Sequence, residues 1–258
     1  MKGFRAFDLT GKVALITGGN GGIGLAFAQA VAEAGADVAI WGTNADKNTA
    51  ALAQLAATGR RVLAFVCDVG DEAAVDACFA DTLAAFGRVD ACFANAGVGA
   101  GQNKSFMDMS AQEWRRVMRV NLDGVFYTLR AASRHMVQRG GGGSLVATAS
   151  LAAIMGSARA EHYGATKGAV VSMIRGLAVE LARHGIRANA ILPGWIATEM
   201  TTQLFADPRF SGNVLPRVPM RRWGASDDFG GIAVYLMSAA SSFHTGDSIV
   251  IDGGYSLF

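Results

Sequence analysis

Short apolar, β-branched runs alternate along the chain with longer stretches rich in Ala, Leu and Glu. The runs predict strands at residues 13–17, 37–41, 61–66, 89–94, 144–149, 186–191 and 248–252. The stretches between them predict helices at residues 23–34, 45–58, 71–86, 111–138, 161–184 and 226–239. Strands that lack polar alternation and are separated by helices indicate a parallel sheet that is covered on both faces.

Right-handed crossovers would wind such a chain into a Rossmann-like, doubly wound α/β sheet of about seven strands with helices on both faces. The sequence contains no linker, repeat or charged tail, so we expect residues 1–258 to form a single domain. The stretch from about 195 to 222 is too long and too broken for a simple turn. A segment of this kind is usually a lid or a binding loop, and we predict a lid.

Composition narrows the class of protein. Apolar residues make up 51% of the chain and charged residues 17%, and the net charge of +2 is interspersed, which favours neither a nucleic-acid nor an anionic membrane partner. Cys67, Cys78 and Cys92 lie in apolar runs and form no CxxC pair, which predicts reduced thiols in a cytoplasmic protein. The histidines show no ligand spacing, so we expect no metal site.

The N-terminal segment MKGFRAFDLTGK lacks the apolar stretch of a signal peptide. The sequence also has no run of about 18 apolar residues, so we expect no membrane span.

A glycine-rich loop, TGGNGGIG at residues 17–24, leads from the first predicted strand into the first predicted helix. Glycine permits a tight turn and close approach of a ligand, and the helix N-terminus offers N–H donors and a positive dipole end. The spacing of Gly18, Gly22 and Gly24 differs from the common GxGxxG fingerprint, and the loop lacks the residues of a GxxxxGK[ST] motif. It therefore predicts a phosphate-binding loop that does not hydrolyse ATP or GTP.

The end of the second strand bears on the choice between NAD and NADP, because an acid there binds the ribose hydroxyls of NAD and repels a 2′-phosphate. This strand ends in WGTN at residues 41–44, without an acid or an arginine, and Asp37 lies at the opposite end. Thr43, Asn44 and Lys47 are candidates to contact a 2′-phosphate. We therefore expect NADP(H) to be favoured weakly over NAD(H).

Tyr163 and Lys167 lie four residues apart in the segment EHYGATKGAV, so one helical face carries both. One interpretation is an aromatic ring that rests on a lysine stem; the other is a phenol whose acidity is tuned by an ammonium. A free phenol titrates near pH ~10, and an ammonium at about 5 Å favours the phenolate by roughly 3 kcal/mol, or about two pKa units. On the second interpretation Tyr163 works as an acid or base near neutral pH.

With TGGNGGIG and YGATK in place, the chain resembles the short-chain dehydrogenase/reductase family, in particular its single-domain classical branch. The resemblance extends from about residue 8 to 258, and further motifs follow in family order: CDV (67–69), NAG (95–97), VNL (120–122), SLVATAS (144–150) and PGWIAT (193–198). It implies an NAD(P)-dependent oxidoreductase that transfers a hydride between the nicotinamide and a ketone or secondary alcohol.

The resemblance assigns a catalytic tetrad of Asn121, Ser150, Tyr163 and Lys167. It implies that Tyr163 exchanges a proton with the substrate oxygen, that Ser150 hydrogen-bonds the same oxygen, that Lys167 also holds the nicotinamide ribose, and that Asn121 positions a relay water. The alternatives are a turn cap for Ser150 and a solvent-facing helical position for Asn121.

The resemblance also implies a set of cofactor-binding residues: Gly18, Asn20, Gly22, Ile23, Gly24, Thr43, Asn44, Asp68, Val69, Asn95, Ala96, Gly97, Tyr163, Lys167, Pro193, Gly194, Ile196 and Thr198. Asp68 and Val69 correspond to residues that contact the adenine, and Gly42 stands where NAD-specific relatives carry their acid. Thr198 corresponds to a threonine that reaches the carboxamide or phosphates, and it can also serve as a helix N-cap.

The predicted substrate wall comes from residues 97–101 and 151–155, from Trp195 and from the lid at 199–215, and it includes the apolar residues Leu151, Ile154, Met155, Met200, Leu204 and Phe205. It favours a neutral, fairly apolar ketone or alcohol, with a 3-oxoacyl thioester as the alternative within the class. Arg159, Arg209 and Arg217 have no predicted role.

Two alternatives lie outside the dehydrogenases. One is a catalytically silent NAD(P)-sensing protein, against which the complete tetrad argues. The other is a sugar-nucleotide epimerase or dehydratase, which usually has a longer C-terminal substrate domain. The helices at 111–138 and 161–184 are apolar over more than one side, and together with the family resemblance this predicts a homotetramer.

Overall fold

A computed structural model describes residues 5–101 and 105–257 of the 258-residue chain. Every predicted site residue falls within these ranges. Residues 1–4 of the N-terminal segment lie outside the described residues, as do 102–104 and 258 of the predicted single domain.

The sheet contains β1 (Val13–Thr17), β2 (Asp37–Gly42), β3 (Val62–Val66), β4 (Ala91–Ala94), β5 (Gly143–Thr148), β6 (Ile186–Pro193) and β7 (Ser248–Ile251). Its order is β3-β2-β1-β4-β5-β6-β7, and the neighbouring strands pair in parallel. The winding reverses between β1 and β4, so a crevice opens there at the carboxyl ends of the strands. The predicted doubly wound, seven-stranded sheet is confirmed.

The helices are α1 (Gly22–Glu33), α2 (Ala45–Leu55), α3 (Glu72–Phe86), α4 (Ala111–Met118), α5 (Gly124–Arg139), α6 (Glu161–Leu181), α7 (Thr202–Ala206), α8 (Pro208–Val214) and α9 (Gly230–Met237). Alternate residues of β1 enter different cores, because successive strand side chains point to opposite faces. Leu15 packs with residues of α3, α5 and α6, whereas Ala14 and Ile16 pack with residues of α1, α2 and α9. Helices therefore cover both faces of the sheet.

The helix predicted at 111–138 is interrupted. Between α4 and α5, residues Arg119–Asp123 form a π-helical turn. Such turns insert an extra residue and are frequent at functional sites. Here the turn contains Asn121, whose side chain is fully buried, and it is followed by Gly124, where an added Cβ would lie 2.7 Å from Cγ2 of Val69.

The segment predicted as a lid contains regular structure that its broken pattern did not indicate. It holds α7, α8 and the 3₁₀ turns Glu199–Thr201 and Leu215–Arg217. Asp207 caps α8 by accepting a hydrogen bond from Arg209 N at 2.8 Å, with a proline at the first helical position. A bridge between Ile196 and Gly224 ties the two ends of the segment together. That this segment acts as a lid stays a prediction.

Candidate active site

The glycine loop closes tightly on itself. Gly18 has φ +63° and donates its N–H to the carbonyl of Trp41 at 2.7 Å. A Cβ on Gly24 would lie only 2.2 Å from the Gly18 carbonyl oxygen, so the first turn of α1 can approach the loop only because this residue is glycine. The result is an open backbone cradle at the N-terminus of α1, which fits the pyrophosphate of a dinucleotide.

Asn95 joins the ends of three strands. Its Nδ2 donates to the Thr17 carbonyl at 3.1 Å, and its Oδ1 accepts from Thr148 Oγ1 at 3.0 Å. The Thr148 carbonyl in turn accepts a hydrogen bond from Lys167 Nζ at 2.8 Å. Ala96 N donates to Thr17 Oγ1 at 3.0 Å. Because both ends of the Asn95 amide are occupied, this side chain connects the glycine loop to the lysine of the predicted tetrad.

Asn121 faces the interior, so the solvent-facing alternative is wrong. Its Oδ1 accepts from Val98 N at 2.8 Å and its Nδ2 donates to the Val98 carbonyl at 2.9 Å. A Cβ on Gly97 would lie 3.2 Å from Asn121 Oδ1 and 3.8 Å from Lys167 Nζ. Asn121 and Lys167 therefore converge on the loop that follows β4.

Ser150 has both of the roles that were considered as alternatives. It caps the 3₁₀ turn Leu151–Ala153 by accepting a hydrogen bond from Ala152 N at 3.1 Å. Its hydroxyl also hydrogen-bonds the Tyr163 hydroxyl. Lys167 Nζ lies 5.5 Å from the centre of the Tyr163 ring, on the same face of α6. The structure thus brings all four tetrad residues together at the carboxyl ends of β4 and β5.

The direction of the Tyr163 pKa shift differs from our expectation. Burial raises the pKa of Tyr163 above its usual value, and the Ser150 hydrogen bond offsets this only in part. Burial also lowers the pKa of Lys167 to about 8. Desolvation therefore sets the direction of both pKa shifts, since it disfavours the charged form of both groups. In the protein chain alone, Tyr163 is a neutral proton donor at pH 7.

Two asparagine side chains, which we call the amide pair, contact each other at the end of β2. Asn20 Nδ2 donates to Asn48 Oδ1 at 2.7 Å, and Asn48 Nδ2 donates to the carbonyls of Gly42 and Phe65, each at 3.2 Å. A Cβ on Gly42 would lie 2.1 Å from Asn20 Nδ2. Gly42 is therefore buried beneath the amide pair, so a side chain at this position would meet Asn20 before it reached the crevice.

Asn48 was not predicted from the sequence, although an asparagine on the sheet-facing side of an amphipathic helix is a usable signal. Thr43 and Asn44, which were predicted to contact a 2′-phosphate, are exposed. Asn44 caps α2 by accepting from Lys47 N at 2.9 Å, and Thr43 precedes it.

The predicted adenine contacts follow β3. Asp68 accepts hydrogen bonds from Arg119 Nη1 at 2.8 Å and from Gly70 N at 2.9 Å. Burial alone would raise the pKa of Asp68, but these hydrogen bonds lower it. Val69 is buried against Gly124 at the start of α5. Asp68 is thus anchored to the π-helical turn.

The remaining predicted contacts lie where β6 meets the glycine loop. Pro193 ends β6, and Gly194 packs so closely on Asp252 that an added Cβ would lie 2.6 Å from the Asp252 Cβ. Ile196 is buried and Ile23 is partly buried in the core beneath the sheet. Thr198 Cγ2 lies 3.3 Å from where a Cβ on Gly22 would be, and Thr198 begins the turn Glu199–Thr201, as the N-cap alternative predicted. The lid thus starts on the glycine loop.

Aromatic rings dominate the predicted substrate wall. Phe205 and Trp223 stack with centroids 4.0 Å apart, and Trp195 meets Phe210 at 5.0 Å and Tyr255 at 6.2 Å. We call these five residues the aromatic cluster. Phe205 and Phe210 lie in the predicted range 199–215, whereas Trp223 and Tyr255 were not predicted to line the wall.

Other parts of the wall are mixed in exposure. Leu151 is buried and Met155 packs against it, whereas Ile154, Met200 and Leu204 are exposed.

The lid also reaches the loop after β4. Met200 Cγ would lie 3.6 Å from a Cβ on Gly99. The Gly99 carbonyl accepts from Arg116 Nη2 at 2.9 Å, and Arg116 is paired with Glu113. Of the unassigned arginines, Arg217 lies over the Tyr255 ring at 4.7 Å.

Cys67, Cys78 and Cys92 are buried free thiols. Among residues 5–101 and 105–257, no cluster of three His, Cys, Asp or Glu side chains is arranged to hold a metal ion. Within the same ranges, no helix combines the length and apolar character needed to cross a membrane.

Comparison with known proteins places this geometry in a family. A family model described as enoyl-(acyl carrier protein) reductase matches residues 18–256. The 2-dehydro-3-deoxy-D-gluconate 5-dehydrogenase of Escherichia coli K12 is 37% identical over 250 residues, covering 97% of both chains. The L-rhamnose 1-dehydrogenase (NAD(P)(+)) of Sphingomonas sp. SKA58 is 37% identical, over 95% of this chain and 96% of that protein.

Solved structures similar to this chain are also dehydrogenases or reductases. A short-chain type dehydrogenase/reductase from Mycobacterium marinum has a TM-score of 0.93 and 38% identity over 98% of each chain. A gluconate 5-dehydrogenase from Burkholderia cenocepacia, in complex with NADP and tartrate, has a TM-score of 0.93 and 36% identity over 98% of each chain. The chain belongs to the short-chain dehydrogenase/reductase family. It is an NAD(P)-dependent oxidoreductase that acts on a ketone or secondary alcohol, as the sequence predicted.

Proposed function

We propose that Tyr163 is the acid/base of this oxidoreductase, with Ser150, Lys167 and Asn121 as its partners. The observation that carries the proposal is the convergence of these four side chains at the carboxyl ends of β4 and β5. Tyr163 and Ser150 share a hydrogen bond, and Asn121 and Lys167 both approach Gly97. One substrate oxygen placed between the two hydroxyls would contact both.

The raised pKa of Tyr163 favours proton donation. In the reductive direction the neutral phenol donates its proton to the developing alkoxide, while Ser150 stabilises the same oxygen. Lys167, held by the Thr148 carbonyl, supplies a positive charge that stabilises the phenolate left behind. When bound, the cofactor supplies the hydride, and its oxidised ring carries a positive charge that favours the phenolate needed for alcohol oxidation.

The predicted cofactor residues would hold the dinucleotide along the crevice. The loop of Gly18, Gly22 and Gly24 offers its backbone to the pyrophosphate, Asp68 and Val69 border the adenine, and Lys167 meets the nicotinamide ribose. We favour NADP weakly over NAD because the end of β2 has no acid and Lys47 follows it in the first turn of α2. NADP bound to the B. cenocepacia structure supports this preference.

For the substrate we propose a small hydroxylated compound, a sugar acid or a sugar. Full-length relatives named for gluconate derivatives and L-rhamnose support this class. The aromatic cluster favours a second candidate, the neutral, fairly apolar ketone that the sequence predicted. Aromatic and aliphatic walls exclude water from an apolar substrate, but they offer few groups that hydrogen-bond to hydroxyls.

A spectrophotometric assay tests both candidates. Oxidation of gluconate and L-rhamnose, and reduction of 5-ketogluconate and of a cyclic apolar ketone, should be followed by absorbance of NADPH and NADH. Higher kcat/KM for the sugar compounds would support the first proposal, and higher kcat/KM for the apolar ketone the second. A purified protein that binds cofactor and turns over none of a broad panel would contradict both.

We also propose a cytoplasmic homotetramer. Free buried thiols suit a reducing compartment. A groove between α5 and α6, lined by Phe126, Leu129, Val137, Met173 and Leu177, gives these helices an outward apolar face, of the kind that marks interaction surfaces. Light scattering at micromolar concentration should give four times the monomer mass, and a monomer mass would contradict the proposal.

A further inference from the structure

An ion pair spans the mouth of the cofactor crevice. Lys47 Nζ, on the first turn of α2, lies 2.5 Å from Glu199 Oε2, on the first turn of the lid. The two residues are 152 positions apart in sequence, and their side chains are 47% and 82% exposed. The pair therefore connects the start of α2 with the start of the lid.

Both ends of the pair lie next to residues that contact the glycine loop. Asn48, beside Lys47, accepts a hydrogen bond from Asn20 of the loop at 2.7 Å. Thr198, beside Glu199, packs against Gly22 of the loop, with Cγ2 3.3 Å from the position of an added Cβ. The ion pair thus bridges over the segment that would hold the phosphates and the adenine ribose.

The charges around this segment give each partner a distinct effect on the cofactor. Across residues 17–24 and 41–48, Lys47 is the one basic residue. Glu199 places a carboxylate at the mouth of a site for an anionic ligand, and the positive charge of Lys47 offsets the negative charge of this carboxylate. An exposed ion pair is weak and exchanges easily, whereas a phosphate monoester carries about −1.5 to −2 charge and makes stronger charge-assisted hydrogen bonds.

We propose that Glu199 is a specificity-determining residue that competes with the 2′-phosphate of NADP for Lys47. The inference rests on the proposed NAD(P) binding along the glycine loop. When NADP binds, Lys47 leaves Glu199 for the 2′-phosphate, and the first turn of the lid is released. NAD has no 2′-phosphate, so the Lys47–Glu199 pair persists and the lid stays tied to α2.

Equilibrium binding of NADPH and NADH tests the competition at fixed ionic strength, by titrating the nicotinamide fluorescence. Glu199→Gln should lower the Kd of NADPH by about 2–5-fold, the range expected for an exposed pair, and leave the Kd of NADH unchanged. Lys47→Gln should raise the Kd of NADPH by at least this factor. In the Lys47→Gln background, Glu199→Gln should have no further effect, because the competitor has lost its target.

Glu33→Gln is the matched control, since it removes the same charge from an exposed position at the end of α1. Equal tightening of both cofactors by Glu199→Gln would overturn the competition and leave only general repulsion. A protein that binds neither cofactor would contradict the proposed function itself. If both cofactors bind and Glu199→Gln leaves their ratio unchanged, the inference about Glu199 alone is wrong.

Hydrogen exchange of the lid gives a second readout. In the wild type, amides at residues 199–206 should exchange about 2–5-fold faster with saturating NADPH than with saturating NADH, because only NADPH releases the turn. In Glu199→Gln the two cofactors should give equal rates. Slower exchange with NADPH than with NADH in the wild type would overturn the proposed release.

Discussion

The two sides of the crevice are built differently. On the side of β4, β5 and α6, Lys167 and Asn121 are buried, and each makes close hydrogen bonds to backbone groups. On the side of β2, α2 and the lid, Lys47 and Glu199 are exposed and form an ion pair across the opening. Buried polar groups must keep their partners, whereas exposed ones can exchange them for water or ligand.

This contrast separates reaction chemistry from the choice of ligand. The first side fixes the groups that we propose transfer a proton, and their positions and pKa values would set the rate of that step. Above the buried contact between Asn20 and Asn48, the second side carries exposed charges, a capping turn and aromatic side chains, which can change partners without disturbing the core. Substitutions on the first side should therefore change rates by orders of magnitude, and substitutions on the second should change preferences by smaller factors.

Tyr163→Phe should have the largest effect, because it removes the proton that the mechanism transfers and keeps the ring. We expect kcat to fall by about 10²–10⁴-fold or more, while the Kd of either cofactor stays within about twofold of the wild type. Steady-state rates and fluorescence titrations measure both. A variant with wild-type kcat would show that another group transfers the proton.

Lys167→Met should lose activity and gain stability. The pKa of Lys167 is about 8 in the folded protein and about 10.4 in an unfolded chain, so below pH 8 the folded state carries the cost of a buried charge. That cost declines between pH 8 and about 10.5, as the folded state releases its proton first. We expect the Tm of the variant to exceed that of the wild type by about 3–6 °C at pH 7, an effect of the order of 1–2 kcal/mol.

Thermal melts at pH 7 and at pH 10.5 check the sign. The difference in Tm should shrink at the higher pH, where Lys167 is neutral in the folded state and about half deprotonated in the unfolded chain. A variant that is less stable at pH 7 would mean that the hydrogen bond to the Thr148 carbonyl outweighs the desolvation of the ammonium. Cofactor affinity should also fall, since Lys167 is proposed to hold the nicotinamide ribose.

Gly42→Asp should change cofactor preference from the buried end of β2. A carboxylate beside the adenine ribose favours the hydroxyls of NAD and repels a 2′-phosphate, so the ratio of kcat/KM for NADH over NADPH should rise at least roughly tenfold, or about 1.4 kcal/mol. The new Cβ would collide with Asn20 and displace it from Asn48, so we also expect a loss of a few degrees in Tm.

Gly42→Asn is the matched control, because it has nearly the same shape without the charge. It should share the loss in Tm and leave the cofactor ratio within about threefold of the wild type. If Asn shifts the ratio as far as Asp does, the displaced Asn20 and not the new charge decides the preference.

Phe205→Leu should give the smallest effect. It removes one ring from the stack with Trp223 and keeps an apolar side chain, so we expect KM for the carbonyl substrate to rise by about 3–10-fold, or about 0.5–1.5 kcal/mol, with little change in cofactor Kd. Phe7→Leu, a partly exposed ring that contacts Tyr235, serves as the control. An unchanged KM would remove Phe205 from the substrate wall.

The strands and the tetrad could be predicted because their signals are local. Parallel strands buried on both faces are continuous apolar runs, and Tyr163 and Lys167 lie one helical turn apart. The family motifs then placed Ser150 and Asn121. Other features were missed because they depend on packing. The π-helical turn around Asn121 interrupts a sequence pattern that is typical of one continuous helix. The space beside Gly42 is filled by Asn20, a side chain from a different element.

The sequence by itself determined the sheet, the glycine loop and the candidates for the reacting groups, since each depends on short-range periodicity or on a motif of a few residues. Only the tertiary structure decided how these groups are tuned. The pKa of Tyr163 is raised because the fold buries the phenol, and the pKa of Lys167 is lowered because the fold buries the ammonium. Likewise, the contacts of Asn20 with Asn48 and of Lys47 with Glu199 form only after folding. These partners are 28 and 152 residues apart in sequence, and a local sequence pattern cannot predict contacts over such separations.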